Sequence, residues 1–229
     1  MDQVNNGLLT YQMSDDVEAF TAMRDGVLPY PVLCGHQVHG YNVGVVDREG
    51  MTREDFEGFD ALVTNLPVAI GVRTADCIPL LLYDPVHKAV AAIHAGWKGT
   101  VQKIVHYTLS KMASEYNTRP EDLKAVICPG IGFDSFQVGE EVPQFFKEAG
   151  FPFDIIWKWD GCPVPGSMQG GHHVDLKSAN RWLLEHAGVL PVNIQVSDIC
   201  TYTDPRFYSA RREGYECGRN INSIRIIDR

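Results

Sequence analysis

The sequence predicts an α+β fold: a mixed sheet with helices inserted between strands that pair mainly with their neighbours, in one domain over residues 1–229. Three observations carry this. A chain of 229 residues, 45% hydrophobic and 21% charged, is long enough for one large core and ordinary in composition, which excludes disorder, collagen and coiled coil. Short runs at 43–46, 61–64, 68–74, 78–83, 89–93, 124–128, 193–196 and 223–227 are β-branched or continuously apolar and are bounded by Gly, Pro or Asp. Helical patterns fall between these runs.

In order along the chain, the runs at 78–83 and 89–93, joined by Asp84-Pro85-Val86-His87-Lys88, read as a hairpin of two buried strands. Thr100 reads as the N-cap of a helix carrying Ile104, Val105, Tyr107, Thr108, Leu109 and Met112 at helical spacing. A second helix occupies 140–149 and stops at Gly150, with acids in its first turn that suit the helix dipole. Asp175 caps a third over 176–187, with Gly188 past its end and Pro191 beyond. The Gly- and Pro-rich segment 160–171 reads as a surface excursion within the domain. Gly130-Ile131-Gly132 is followed by no third glycine at the required place, which argues against a Rossmann dinucleotide domain.

Charge and cysteine usage narrow the function. A formal net charge of −9 argues against a general nucleic-acid binder, yet leaves room for a local cationic pocket for a small anion. The longest apolar stretches, 78–83 and 89–93, fall far short of the ~20 residues that span a bilayer. Residues 1–7 carry no basic or apolar signal region, so a cytoplasmic protein is expected. Cys34, Cys77, Cys128, Cys162, Cys200 and Cys217 are then expected to be reduced, and none lies in a C-x-x-C pair that would suggest a closed zinc site.

Several clusters could carry chemistry. His36-Gln37-Val38-His39-Gly40 offers two histidines for which metal ligand, general base and ordinary polar loop residue are all open, the last being the commoner role for such a pair alone. Thr74-Ala75-Asp76-Cys77 ends one apolar run immediately before another. His94-Ala95-Gly96-Trp97-Lys98-Gly99-Thr100 ends a strand and opens a helix, whose free amides and Lys98 favour an anion. Cys77 and His94 flank the hairpin, so antiparallel pairing sets them side by side at one sheet edge. If His39 arrives there from another strand end, one Cys and two His surround a point with a fourth position open. That is the composition of a catalytic zinc site, and Cu(II) competes well for the same donors. A second reading makes Cys77 a thiolate nucleophile with His94 as its base in an amide hydrolase. Asp76 is the candidate proton shuttle or ligand orienter. Arg211 and Arg212, among aromatics and glycines, suit a phosphate or a flat ring as well as they suit a solvated ion pair.

Taken together, Gln37-Val38-His39-Gly40, Thr74-Ala75-Asp76-Cys77, His94 to Gly99, Pro129 to Gly132, Val138 to Val142, His173-Val174-Asp175-Leu176 and the block from Cys200 to Asn220 stand in the order of a known family. The chain resembles the purine nucleoside phosphorylases long labelled laccase-domain or polyphenol oxidase proteins, which include the peptidoglycan editing factor. The resemblance implies a three-layer α/β/α sandwich and a zinc site made by His39, Cys77 and His94. It also implies phosphorolysis of adenosine, inosine, guanosine and methylthioadenosine, with hydrolytic deamination of adenosine. The family's early arginine corresponds to Arg24, so Arg24, Lys98, Arg211 and Arg212 are the candidate phosphate cations. Two departures stand out: the loop between Arg24 and His36 is short, and Phe133-Asp134-Ser135-Phe136 replaces a family Pro-Cys-Cys-Tyr run. A laccase reaction fits poorly, since four-copper oxidases use many His-x-His pairs and the eight histidines here form none. Trp97 and Phe207 are candidates for stacking on a base, although packing in the core is the commoner role for such residues.

Overall fold

The computed structural model describes residues 3–161 and 170–227. Most of the 160–171 segment, with Cys162, therefore lies outside the described residues.

The buried hairpin is the centre of the architecture. Ile78–Asp84 and Ala89–Ala95 pair antiparallel from Ile78↔Ala95 to Asp84↔Ala89, and every residue of both strands is buried. Successive side chains of a strand point to opposite faces, so an apolar residue at nearly every position serves two cores. Leu80, Leu82, Ala91 and Ile93 face a helical layer. Leu81, Tyr83, Val90 and Ala92 face a second sheet. The central sheet extends on one side through Lys124–Ile127 and Ile194–Val196 and on the other through Ala61–Thr64 and Val43–Val45. Both outermost strands pair parallel, so the sheet is mixed as expected.

The helical layer is built by Ile104–Tyr116 and Leu176–His186, whose Ile104, Val105, Met112, Ala179, Leu183 and Leu184 are buried on the hairpin. Asp175 caps the second of these by accepting from the Ser178 N–H at 3.0 Å, and Gly188 beyond its end has φ 103°. Glu141–Glu148 likewise ends before Gly150, at φ 80°. The start of the first helix differs from the sequence reading. Thr100 is inside a short helix, Trp97–Val101, whose N-cap is Gly96. Lys103, at φ 62°, interrupts that helix before Ile104–Tyr116 begins. Gly99 explains the short piece. A Cβ there would lie 2.9 Å from the Gly40 carbonyl, so the helix can press against the loop that carries His39.

The layer opposite the helices also corrects an expectation. The α+β class with a mixed sheet is present, but the third layer is a six-stranded sheet where the α/β/α arrangement has helices. Its order is Gln3–Asn5, Leu8–Thr10, Val17–Ala22, Asn220–Ile226, Ile70–Thr74, Leu33–Cys34. Its inward Val17, Ala19, Ile70, Val72 and Ile224 cover the hairpin face that the helices leave bare. Only the runs at 68–74 and 223–227 had announced this sheet. The amino-terminal strands are short, and Val17–Ala22 is buried at five of six positions, so no alternation marks it. A third, three-stranded sheet of Gln137–Val138, Gly171–Val174 and Trp157–Asp160 flanks the helices.

Leu81 is 0% exposed between the two large sheets. Leu81→Ala should lower unfolding stability by about 2–5 kcal/mol. Leu190→Ala, at a 46% exposed position, should change it by less than about 0.5 kcal/mol. Urea denaturation followed by tryptophan fluorescence checks both values.

Candidate metal centre

The hairpin register carries Cys77 and His94 to one sheet edge. Pro79 pairs with His94 and Ile78 with Ala95, so Cys77 sits immediately beyond the ladder beside the 95–96 turn. His39 reaches the same edge from the loop before Val43–Val45, at φ 61°. One ligand atom from each of the three residues lies within 4.8 Å of the others. Ligand bonds of about 2.0–2.3 Å imply tetrahedral edges of about 3.3–3.8 Å, so a small inward movement closes the group on an ion. The two imidazoles meet edge to face, with centroids 4.8 Å apart. Gly96 lies beneath them: a Cβ there would be 3.0 Å from the His39 ring and 3.1 Å from Cys77 Sγ. That space, with His94 buried, Cys77 half-buried and His39 exposed, fits a metal ion with one side open to solvent.

Asp60, a residue the sequence reading passed over, organises the group. It is 0% exposed at the start of the Ala61–Thr64 strand. Its Oδ1 accepts from His94 Nδ1 at 2.7 Å and from the His39 backbone N–H at 2.9 Å. Its Oδ2 accepts from the N–H groups of Gly40 at 2.8 Å and Val38 at 3.1 Å. One carboxylate therefore fixes the ring of one ligand and the backbone of another, leaving Nε2 of His94 free to coordinate. This is the carboxylate–histidine pairing typical of metal sites.

The charges match a ligand set prepared for a cation. Burial by itself would raise the Cys77 thiol, but the neighbouring His94 charge and hydrogen bonds from both imidazoles outweigh it and bring the thiol down to about 6. Burial would lower His94, yet the Cys77 thiolate and the Asp60 carboxylate raise it to about 9. Burial also opposes the charge on Asp60, and the His94 contact with the Gly40 and Val38 amides keeps that carboxyl below its usual range. A thiolate is the form in which cysteine binds metal.

Asp76 is held in place by its neighbours. Its backbone is left-handed, at φ 89°. Oδ1 accepts from Thr201 Oγ1 at 2.6 Å, and Oδ2 accepts from Ser209 Oγ at 3.0 Å and the Arg211 N–H at 2.7 Å. These contacts suit an anchor for the carboxy-terminal segment better than a proton shuttle.

The four cations singled out in the sequence do not converge. Arg24 Nη2 donates to Glu213 Oε1 at 2.6 Å, and its guanidinium lies over Tyr208, 4.3 Å from the ring centroid. Arg212 donates to the carbonyls of Thr201 and Tyr202, each at 2.7 Å, and to the same Glu213 oxygen. Lys98 is exposed, 5.6 Å from the Trp97 ring centroid. Arg211 lines a cavity beside the His-Cys-His group, where its guanidinium is 5.7 Å from the Phe136 centroid. Phe207 is 0% exposed in the core and offers no face to a ligand.

Two cavities open onto the metal group. One, of about 480 Å³, is lined by His94, Gln37 and the arginines 53, 73 and 219. The other, of about 600 Å³, is lined by Trp97, Phe136, Val142, Gln137, Glu141 and Arg211. His39, Ala75, Cys77, Ala210 and Tyr215 belong to both walls.

A mixed α+β fold with an open His-Cys-His group at a sheet edge defines the class, and comparison with known proteins agrees. The sequence model of the family described as multi-copper polyphenol oxidoreductase laccase matches residues 2–227, and the chain belongs to that family. It is 43% identical over 176 residues to a purine nucleoside phosphorylase of Bacteroides thetaiotaomicron, covering 76% of this chain and 63% of the relative. The chain thus spans somewhat less than two thirds of that relative's length. Adenosine deaminase RL5, from an unknown prokaryotic organism, is 37% identical over 218 residues, 91% of this chain and 80% of its own. The crystal structure of hypothetical protein YfiH of Bacillus licheniformis superposes with a TM-score of 0.85 at 24% identity over 97% of both chains, a likeness of fold.

Asp60→Asn keeps the shape of the side chain but removes the charge that holds His94 Nδ1–H. It should weaken metal binding by about tenfold to hundredfold, read by competition with a chromophoric chelator; an unchanged affinity would remove Asp60 from the site. Glu213 gives a pH prediction. Hydrogen bonds from Arg24 and then Arg212 hold its carboxyl down to about 2, against an ordinary 4.5. A depressed acid contributes stability that is full above 4.5 and lost as pH falls toward 2. The melting-temperature gap between the parent protein and Glu213→Gln should therefore be constant from pH 7 to 5 and close between pH 4.5 and 2.

Proposed function

We propose that this chain, as one domain over 1–229, is a zinc-dependent purine nucleoside phosphorylase that also deaminates adenosine. The substrates are adenosine, inosine, guanosine and methylthioadenosine with phosphate, and the products are the free base and the sugar 1-phosphate. The observation that carries this reading is the pair of cavities meeting at one His-Cys-His group, one basic and one lined with aromatic and amide side chains. A displacement at the anomeric carbon needs its nucleophile and its departing base on opposite sides of that carbon, and two chambers with a common wall suit it. Curated relatives bearing the names purine nucleoside phosphorylase and adenosine deaminase support the reading.

The ligand set favours zinc: two nitrogens, one thiolate and an open position. When bound, zinc supplies a Lewis acid that polarises the purine and lowers the pKa of water for deamination. The chain's own groups do the rest. Asp60 orients His94, Gly96 leaves room at the junction, and Asp76 fixes Ser209 and Arg211 so that Ala210 stands between the chambers. Trp97 and Phe136 line the chamber suited to a flat base, with Gln137 and Glu141 for its polar edge. A cytoplasmic setting suits this chemistry, and the five described cysteines are free thiols. Among the described residues, no helix is long and apolar enough to cross a membrane.

Cys77→Ser and His94→Ala should each lose bound zinc together with phosphate-dependent release of base from inosine, because an alcohol is a far poorer ligand than a thiolate. Metal analysis of the protein as purified, with chromatography of the products, checks this. Copper in place of zinc would support the oxidase reading, and a metal-free protein with an acylated Cys77 would support the amide hydrolase. A Cys77→Ser protein releasing base at the parent rate would overturn the proposal.

A further inference from the structure

We propose that Arg53 and Arg73 form the phosphate-binding face of the site, in place of the cations that the sequence singled out. This deepens the phosphorolysis reading, on which the identity of the anion rests. Both arginines line the 480 Å³ cavity together with Cys77 and His94. Both are exposed, and both also line a neighbouring cavity with the buried Cys34, so their side chains lie near one another. Arg24 is paired with Glu213 and laid over Tyr208, and Arg212 is committed to Glu213 and to backbone carbonyls. Among the described residues, neither Arg53 nor Arg73 has an ion pair or a side-chain hydrogen bond, and neither is among those with further interactions. Arg219 completes the basic wall but is committed to the carbonyls of Tyr215 and Gly218, at 2.8 and 3.1 Å. Among the described residues, Glu216 is the one acid lining this cavity.

The sequence also fixes where Arg73 stands. It is the one exposed residue of the Ile70–Thr74 strand. The Gln37 side chain holds its backbone on both sides, accepting from the Arg73 N–H at 2.8 Å and donating to its carbonyl at 2.9 Å. Gln37 is two residues from His39, so this amide clamp ties the arginine to the metal loop. Two unpaired guanidinium forks facing one cavity match a phosphate dianion, which accepts such forks bidentately. The aromatic chamber lies across the metal group, so phosphate held here approaches the anomeric carbon from the side opposite the base. A phosphate oxygen then forms the new C1′–O bond as the C1′–N9 bond breaks. The bonding pair passes to the purine nitrogen, and the proton of hydrogen phosphate ends on the released base.

The test uses the purified protein with its metal content measured. Binding of inorganic phosphate is followed by calorimetry, and base release from inosine is followed at varied phosphate and varied inosine. Arg53→Gln and Arg73→Gln should each weaken phosphate binding, and raise the phosphate KM, by about tenfold to hundredfold. The inosine KM, the zinc content and phosphate-independent deamination of adenosine should be unchanged. Arg181→Gln, a surface charge paired with Glu185 on the far helix, should change none of these. If the double variant binds phosphate as the parent does, or if the parent binds none, the proposal is overturned. A parent that phosphorolyses inosine with variants of normal phosphate KM overturns the arginine site and leaves the activity standing. A parent that binds phosphate without phosphorolysis, and loses binding in the variants, supports the site and overturns the activity.

Discussion

The site depends on the burial of one carboxylate. Asp60 is shielded from water, and an ion so placed costs several kcal/mol unless its oxygens are satisfied. Four donors satisfy it: three successive amides of the 38–40 loop and the His94 ring. That accounts for the left-handed backbone at His39, since a loop must curl to aim three N–H groups at one carboxylate. It also accounts for Gly99 and Gly96, which let the helix after the hairpin come close to the curled loop and to the ligands. Remove the carboxylate, and the two histidines have no common reference.

A second buried acid does the same for the other wall. Asp76 draws the Thr201 hydroxyl and the Ser209–Arg211 turn onto the hairpin edge, and its backbone carbonyl accepts from the Ile131 N–H at 2.8 Å. Three distant stretches of chain thereby close around one point. The same turn carries Arg212 and Glu213, and through Glu213 it holds Arg24 of the amino-terminal sheet. Cations that look free for a ligand in the sequence are thus part of the fabric that holds the cavities open.

Much of this site was legible along the chain. Hairpin pairing follows from two apolar runs separated by a short polar turn, and it implies the Cys77–His94 neighbourhood without further information. The caps at Asp175 and Gly188 are local events governed by a few bonds. Asp60 was not legible, because its partners are His94, distant in sequence, and a loop whose curl no local pattern announces. Arg53 and Arg73 were equally silent: one is in a charged 3₁₀ turn and the other is the lone charged residue of an otherwise largely apolar run.

The sequence by itself determined the α+β class, the central hairpin and the meeting of Cys77 with His94, because apolar runs, turn chemistry and the reach of an antiparallel pair are short-range; His39 joined them through the family resemblance. It could not determine the outer sheet, in which Val17–Ala22 pairs with Asn220–Ile226, because nothing local distinguishes a strand covered on both faces from any other apolar stretch. Nor could it sort the arginines into those spent on carbonyls and carboxylates and those left facing a cavity. A guanidinium looks the same in every sequence, and only tertiary packing decides whether its hydrogen bonds are already made.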